Sequence, residues 1–217
     1  MSSPELATIH SPDETATELL RLKQSFLRGA GLSSGAMTGE LTAETMELLG
    51  KILAASLQGT IDLLALRSLV KQEVHADVTT VLVRNNNPLK FFTDSQTVLT
   101  QMLRKKMPGF MEPLEALEDA HSDLHGHQHG MTAGARACLL ATLEPLAGDE
   151  VSAALPPAGF ADKLMPHRRG LVQWHEYLRR HRAAVIGVDA QLHGPAFLAA
   201  YDHAVLKAAA TMRKKPA

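Results

Sequence analysis

The chain has 217 residues and a formal net charge of −1, and 45% of its residues are hydrophobic although only 4% are aromatic. This composition, rich in Leu and Ala, favours helices packed through aliphatic side chains over a β-sandwich, which needs β-branched and aromatic residues. The near-zero net charge excludes a field strong enough to hold nucleic acid or an anionic membrane without a local basic patch.

The N-terminal part of the sequence predicts two helices. Residues 1–10 show no periodicity and are expected to be disordered. Residues 11–14, Ser-Pro-Asp-Glu, form a capping box with proline at the first helical position, and a helix is predicted from there to about Arg28. After a loop rich in Gly and Ser, Thr42 is the predicted N-cap of a long amphipathic helix that reaches Glu73.

A run of asparagines interrupts the helical pattern near the middle of the chain. Residues 74–83 favour an extended segment, and residues 84–91, Arg-Asn-Asn-Asn-Pro-Leu-Lys-Phe, follow it. We call residues 84–91 the asparagine elbow. Asn side chains hydrogen-bond nearby main chain, while Pro88 fixes its own φ and pushes Asn87 toward extended conformations. The elbow is therefore predicted to be a rigid turn.

Four further helices are predicted beyond the elbow. Thr93 and Gln96 form a second capping box that opens the first of them. A loop with at most short turns is expected over residues 144–170, which contain several prolines and glycines. The four predicted helices cover approximately residues 93–103, 113–143, 171–186 and 195–212.

The long helix that starts at Pro113 carries two further patterns. Acidic residues near its start are interpreted as complementing the positive end of the helix dipole, and they are Glu112, Glu115, Glu118 and Asp119. Gly126, Gly130 and Gly134 fall on nearly one face, because they are spaced by four residues. Such a face weakens the helix but lets another helix approach closely.

Together these elements predict an all-α, single-domain bundle of about six helices with long central helices over residues 11–212, followed by a basic tail, 213–217. The lone cysteine, Cys138, excludes an internal disulfide and is interpreted as a small buried hydrophobe. No run approaches the ~18 apolar residues of a membrane span, and the N-terminus lacks the pattern of a signal peptide. A cytoplasmic protein is therefore expected.

Four histidines lie close together in the long helix, and they raise the question of a metal site. His121 and His125 share a helix face, and Glu118 with His121 makes one Glu-x-x-His unit. A di-iron bundle needs two such units, and a closed zinc site is poorly supplied by a chain with one cysteine. A metal-binding helical enzyme that uses Glu118, His121 and His125 is kept as the alternative function.

Three basic groups raise the question of nucleic-acid binding. They occur at residues 104–106, 167–169 and 179–182, among acidic residues and with few aromatic side chains nearby. Solvated helix faces explain them more simply than a phosphate-binding surface does. No nucleic-acid partner is expected.

The region around the elbow resembles a known family. The shared features start with Asn86-Asn87-Pro88-Leu89-Lys90-Phe91 and continue with Pro108-Gly109-Phe110, Asp123-Leu124, His127-Gln128, and Gly134 with Arg136-Ala137. In these residues the chain resembles the helical C-terminal domain of the FHA-domain proteins of bacterial type VI secretion systems, the TagH, ImpI and VasC group. Weaker similarity extends over most of the chain.

The resemblance implies a non-enzymatic scaffold or adaptor without a cofactor. It would lie on the cytoplasmic side of the secretion machine, recruited to the inner-membrane face of the complex, and contact other secretion components. A homo-oligomer is a further expected partner arrangement, because long helices can leave an apolar face uncovered. In the family an N-terminal FHA β-sandwich binds phosphothreonine. This chain starts almost directly in helices, so phosphopeptide binding is not carried over.

The resemblance also implies which residues are structural or contact a partner, with no catalytic role among them. Of the four histidines only His127 falls on the family pattern, which weakens the metal-binding alternative. The residues that carry the pattern are Asn86, Asn87, Pro88, Lys90, Phe91, Asp123, His127, Gln128 and Gly134.

Overall fold

The computed structural model describes residues 12–73, 86–104, 108–192 and 194–212. Within those ranges the regular structure is helical, apart from an isolated parallel bridge between Asn86 and Phe110. The predicted all-α class is confirmed. The helices of the described ranges are α1 Pro12–Gly29, α2 Ala43–Glu73, α3 Pro88–Phe91, α4 Ser95–Leu103, α5 Pro113–Leu143, α6 Gly148–Ala153, α7 Phe160–Leu164, α8 Pro166–Ile186, α9 Val188–Leu192 and α10 Pro195–Met212, with a 3-10 turn at Glu144–Leu146.

Some predictions fall outside the described residues. They concern the start of the chain with Ser11 of the first capping box, the extended segment 74–83, the first two positions of the elbow, residues 105–107 and the basic tail. The proposed limits of the helical domain, 11–212, stay a prediction for the same reason.

The chain divides into two compact units within α2, between Ser56 and Leu57. In the first unit, α1 ends at a turn in which Gly31 has a φ of 67°. The N–H of Leu32 closes this turn by donating to the carbonyl of Leu27 at 2.8 Å. Glycine suits the position because side chains with a Cβ rarely adopt a positive φ.

The helix α2 begins where the sequence predicts. Its N-cap is Thr42, whose hydroxyl accepts a hydrogen bond from the N–H of Thr45 at 3.3 Å. Among the described helices, the stretch Ala43–Gln72 is long and apolar enough to cross a membrane by length and composition, and 17% of its apolar window is buried. Core helices of soluble proteins pass the same test, so this property alone does not establish a span.

The second unit holds the first of two hydrophobic clusters, formed where α2, α3, α4 and α5 meet. Leu89 of α3 and Val98 of α4 are almost completely buried there. The buried members of the cluster are Leu57, Ile61, Leu64, Leu89, Val98 and Ala120. Because α3 forms the second half of the elbow, the hydrogen bonds of Asn87 at its start determine where Leu89 enters this core.

The second cluster joins α5 to α10 through a face of small residues. Gly126, Gly130 and Gly134 of α5 lie against Val205, Tyr201 and Phe197 of α10, and we call this contact the glycine seam. A Cβ on Gly134 would lie 2.6 Å from the ring of Phe197, and one on Gly130 would lie 2.6 Å from the ring of Tyr201. The predicted close approach of another helix to the glycine face is confirmed. Cys138 is buried in the same cluster, also as predicted.

The prediction of a loop over residues 144–170 is wrong. A 3-10 turn and the short helices α6 and α7 occupy much of it, and α8 begins at Pro166 instead of residue 171. Val151 of α6 is buried, and Gln173 of α8 donates to the hydroxyl of Ser152 at 3.0 Å. Contacts with α8 thus stabilise helices that are too short to be recognised by hydrophobic periodicity.

The predicted capping box at Thr93 is also wrong by one residue. The N-cap of α4 is Asp94, whose carboxylate accepts from the N–H of Thr97 at 2.8 Å, and this bond lowers the pKa of Asp94. Gln58 of α2 supports the same helix end, since its amide oxygen accepts from the N–H of Ser95 at 2.9 Å. Aspartate is as good an N-cap as threonine, and both residues stand before the helix.

Candidate functional site

The elbow is fixed by main-chain hydrogen bonds to the segment that precedes α5. The N–H of Asn86 donates to the carbonyl of Gly109 at 2.8 Å, and the N–H of Met111 donates to the carbonyl of Asn86 at 3.0 Å. The side-chain amide of Asn86 donates to the same Gly109 carbonyl at 3.1 Å. Gly109 has a φ of 96°, which only glycine adopts without strain.

Among the described residues of the elbow, Asn87 is the polar residue with the least exposure. It is 3% exposed and has the extended backbone that the following proline favours, with φ −84° and ψ 116°. Its Oδ1 accepts from the N–H of Leu89 at 2.9 Å and caps α3. Its Nδ2 donates to the carbonyl of Ala116 at 2.7 Å and to the carboxylate of Asp119 at 2.8 Å. One side chain therefore starts α3 and ties it to α5.

Lys90 is positively charged and lies between two carboxylates of α5. Its Nζ is 2.7 Å from Oδ2 of Asp119 and 2.7 Å from Oδ2 of Asp123. The two aspartates are four residues apart, so they project from one face of the helix. Arg67 of α2 lies 3.4 Å from the same oxygen of Asp123. We call Asn87, Lys90, Arg67, Asp119 and Asp123 the elbow network.

The electrostatics of the elbow network stabilise the charged form of its lysine. Burial by itself lowers the pKa of Lys90, but the hydrogen bonds and the negative charges of Asp119 and Asp123 outweigh it and raise the pKa above its ordinary value. The side chain of Lys90 is 20% exposed and that of Arg67 is 14% exposed. The network is thus partly shielded from water, where charge pairing is stronger than at the surface.

His127 lies one turn beyond Asp123 and contacts α10. Its Nδ1 is 2.9 Å from the hydroxyl of Tyr201, and the two rings meet edge to face with centroids 5.8 Å apart. Burial lowers the pKa of His127, and the positive charges of Arg67 and Lys71 lower it further. A neutral imidazole suits this environment. Its hydrogen bond joins Tyr201 of the glycine seam to the turn of α5 that follows Asp123 of the elbow network.

The remaining residues of the family pattern differ in how far they are exposed. Pro88 is buried at the start of α3, whereas Phe91 at its end is 38% exposed and meets the ring of Phe110 edge to face. The side chain of Gln128 is exposed on α5. Gly134 lies in the glycine seam against Phe197. Phe91 and Gln128 are therefore the two that offer the most surface to a partner.

The other histidines of α5 do not join the network. The side chains of His121, His125 and His129 are exposed, and so is that of Glu118. Among the described residues there is no group of three or more His, Cys, Asp or Glu side chains placed to hold a metal ion. The described part of the chain therefore offers no observation in favour of the metal-binding alternative.

Sequence reasoning missed three partners of the family residues. Asp119 was interpreted as complementing the helix dipole, but it accepts from Asn87 and pairs with Lys90. Arg67 and Tyr201 are distant in sequence from the residues they contact. The spacing of Asp119 and Asp123 by four places both carboxylates on one face of α5, and this local pattern could have indicated a shared cationic partner.

Fold and site together define a helical domain in which polar side chains join α3 to α5 and a glycine face of α5 packs against aromatic rings of α10. Residues 28–204 match the family described as the C-terminal domain of Type VI secretion system FHA protein. The match covers most of the chain, and the chain belongs to this family. No curated protein and no solved structure gives a significant match.

Proposed function

We propose that the domain is a non-enzymatic scaffold or adaptor of the type VI secretion apparatus, acting through protein contacts in its assembly or regulation. The observation that carries the proposal is the elbow network. In it Asn87, Lys90 and Asp123, all residues of the family pattern, are bonded to neighbouring helices. Polar groups engaged in this way position helices, whereas catalysis requires groups that face a substrate.

The proposal gives the residues of the family pattern two kinds of role. Asn86, Asn87, Pro88, Lys90, Asp123, His127 and Gly134 position helices, since each is bonded or packed inside the second unit. Phe91 and Gln128 contact a partner, because their side chains are the more exposed members of the set. The partner is another component of the secretion apparatus, and the domain works on the cytoplasmic side, at the inner-membrane face of the complex.

The test is made in a bacterium with an active type VI secretion system. Deleting residues 28–204 of the chain is expected to abolish release of a secreted effector into the medium, and expression of the wild-type chain restores it. Purified wild-type protein, mixed with each other purified component in turn, identifies the partner by a direct complex. Normal secretion after the deletion contradicts the proposal.

A second measurement separates scaffold from enzyme. Wild-type protein purified to homogeneity is assayed for enzymatic turnover alongside the variants Lys90→Met and Asp123→Asn. A turnover that survives purification and disappears with one of these substitutions, while the fold is retained, overturns the non-enzymatic part. Light scattering of the same sample reports whether the protein associates with itself.

A further inference from the structure

A groove of about 540 Å³ runs beside the glycine seam, on the side of α5 away from His127. Its walls are α5 and α10, which the glycines bring close together. Residues 125, 129, 132 and 136 of α5 line it, and this three- and four-residue spacing places them on one face of the helix. The groove is therefore a fixed consequence of how the two helices pack.

The charged and titratable side chains along the groove are all bases. Arg136 and Lys207 supply fixed positive charges, and His125 and His129 supply two imidazoles, all four on exposed side chains. None of the described residues that line the groove is an aspartate or a glutamate. In a chain with a formal net charge of −1, this concentration of basic groups favours an anionic occupant.

The floor and the length of the groove narrow the choice of occupant. Its floor is formed by Ala133, Ala204 and Ala208, which leave room for apolar side chains. From His125 to Arg136 the wall extends for about 16 Å at 1.5 Å per residue, enough for about five residues of extended peptide. A compact anion such as phosphate would reach only one end of it.

The hydroxyl groups at the rim are already used as donors. Thr132 donates to the carbonyl of Gln128 at 3.0 Å, and Thr211 donates to the carbonyl of Lys207 at 2.9 Å. The side chains of Arg136 and Lys207, together with the imidazoles of His125 and His129, are therefore the donors that the groove offers a ligand. Guanidinium and ammonium groups make their strongest hydrogen bonds with carboxylates and other anions.

We propose that this groove binds an acidic peptide segment of a partner protein, with Asp or Glu side chains toward Arg136 and Lys207 and aliphatic side chains on the alanine floor. The proposal rests on the scaffold function, because it names the chemistry of the partner that such a scaffold would hold.

The experiment selects ligands without assuming a sequence. A phage-displayed library of random short peptides is selected against the purified full chain, and the recovered peptides are synthesised with a fluorescent label for anisotropy titrations. We expect them to combine Asp or Glu with aliphatic residues. Arg136→Glu with Lys207→Glu should weaken their binding at least about tenfold, since two ion pairs become repulsive contacts.

The matched control is Lys51→Glu with Arg182→Glu, which makes the same change of net charge at two other exposed basic residues. This variant should bind within about twofold of wild type. Ala208→Leu, which fills the floor without a change of charge, should also weaken binding. Circular dichroism checks that each variant is folded, and a peptide in which Lys replaces the acidic residues should regain binding to the Arg136→Glu, Lys207→Glu variant.

Three results would overturn the proposal. One is a set of recovered peptides without enrichment in acidic residues. Another is equal loss of binding in the groove variant and in its control. The third is competition by a short RNA or by inorganic phosphate at the same concentration as the peptide, because either would show a general anion site.

A cellular measurement distinguishes failure of the groove from failure of the scaffold function. If deletion of residues 28–204 stops secretion but the Arg136→Glu, Lys207→Glu variant secretes normally, the scaffold function stands and the groove proposal falls. If acidic peptides bind the groove but the deletion leaves secretion intact, the groove stands and the function in secretion falls.

Discussion

The two halves of α5 are joined to the rest of the second unit by opposite means. In the N-terminal half, Asp119 and Asp123 receive hydrogen bonds and charge from Asn87, Lys90 and Arg67. In the part of the helix that begins at Gly126, three glycines receive the side chains of Phe197, Tyr201 and Val205. The first contact depends on hydrogen-bond partners and on opposite charges. The second depends on the space left by residues that have no Cβ.

This difference determines what each half tolerates. A polar network is damaged by deletion, because a buried group that loses its partner keeps the cost of leaving water. A glycine seam is damaged by addition, because close-packed interiors have no room for an extra methyl group. Substitutions that remove atoms should therefore act on the elbow network, and those that add atoms should act on the seam.

The largest effect is expected for Asn87→Ala. The change removes three hydrogen bonds of a buried side chain, at about 1 kcal/mol each, so the free energy of unfolding should fall by about 3 kcal/mol. Urea denaturation followed by circular dichroism measures it. Asn86→Ala, at the half-buried neighbouring position, is the control and should cost less. Equal losses would show that the network is not centred on Asn87.

The next effect is expected for Gly134→Ala. The new Cβ would lie 2.6 Å from the buried ring of Phe197, and overpacking of this kind typically costs about 1–3 kcal/mol, offset in part by a gain of about 1 kcal/mol in helix propensity. Gly126→Ala is the matched control, since its Cβ would meet Val205 at an ordinary 3.5 Å. Thermal melting should show opposite signs for the two variants. Stabilisation by both would contradict the steric view of the seam.

An effect of similar size is expected for Lys90→Met, about 1–2 kcal/mol, because the ion pairs are only partly buried. The pKa of Lys90 is raised in the folded protein, so the stabilisation is fully present below the ordinary value of 10.5 and is lost as the pH rises through the folded value. Melting curves of wild type and variant should therefore converge in strongly alkaline buffer. Lys51→Met, at an exposed ion pair, should show little difference at any pH. A gap that does not narrow would mean that packing of the lysine stem, not its charge, is lost.

The smallest effect is expected for His127→Gln, about 0.5 kcal/mol near pH 8 from the weakened contact with Tyr201. The pKa of His127 is lowered in the folded protein, so the unfolded chain binds more protons as the pH falls below about 6.5, and wild type loses stability there. The difference between wild type and variant should therefore narrow between pH 7 and pH 5. His121→Gln, at an exposed position of the same helix, controls for loss of a histidine. A difference that stays constant with pH would contradict the proposed neutral state.

Much of the fold could be predicted because it is local. The start of α2 at Thr42, the start of α5 at Pro113 and the whole of α10 follow from capping residues and hydrophobic spacing. The glycine face of α5 was also visible as a spacing. What could not be seen is that Phe197 and Tyr201 would fill it, because nothing in a helical pattern says which neighbour it meets.

The candidate site was predictable only in part, because Arg67 and Asp119 of the elbow network were not among the predicted site residues. Asn87 and Lys90 belong to the unusual elbow, yet the sequence does not identify their partners on α5. Nor does it identify Arg67 of α2 as a partner of Asp123. The short helices α6 and α7 were missed because helices of so few residues depend on tertiary contacts and carry almost no periodicity. The prediction of long-range contacts and of short helices fails for the same reason, since neither is determined by a single window of sequence.

The glycine seam also affects the order of events during synthesis. His127 and Tyr201, which meet beside it, are 74 positions apart in the sequence. A ribosome that adds about 5–20 residues per second needs roughly 4–15 s to make the stretch between them. Throughout that interval α5, weakened by its glycines, is without the helix that covers it. The nascent chain therefore passes through a stage in which the glycine face of α5, which α10 covers in the finished protein, is exposed to chaperones and to other chains.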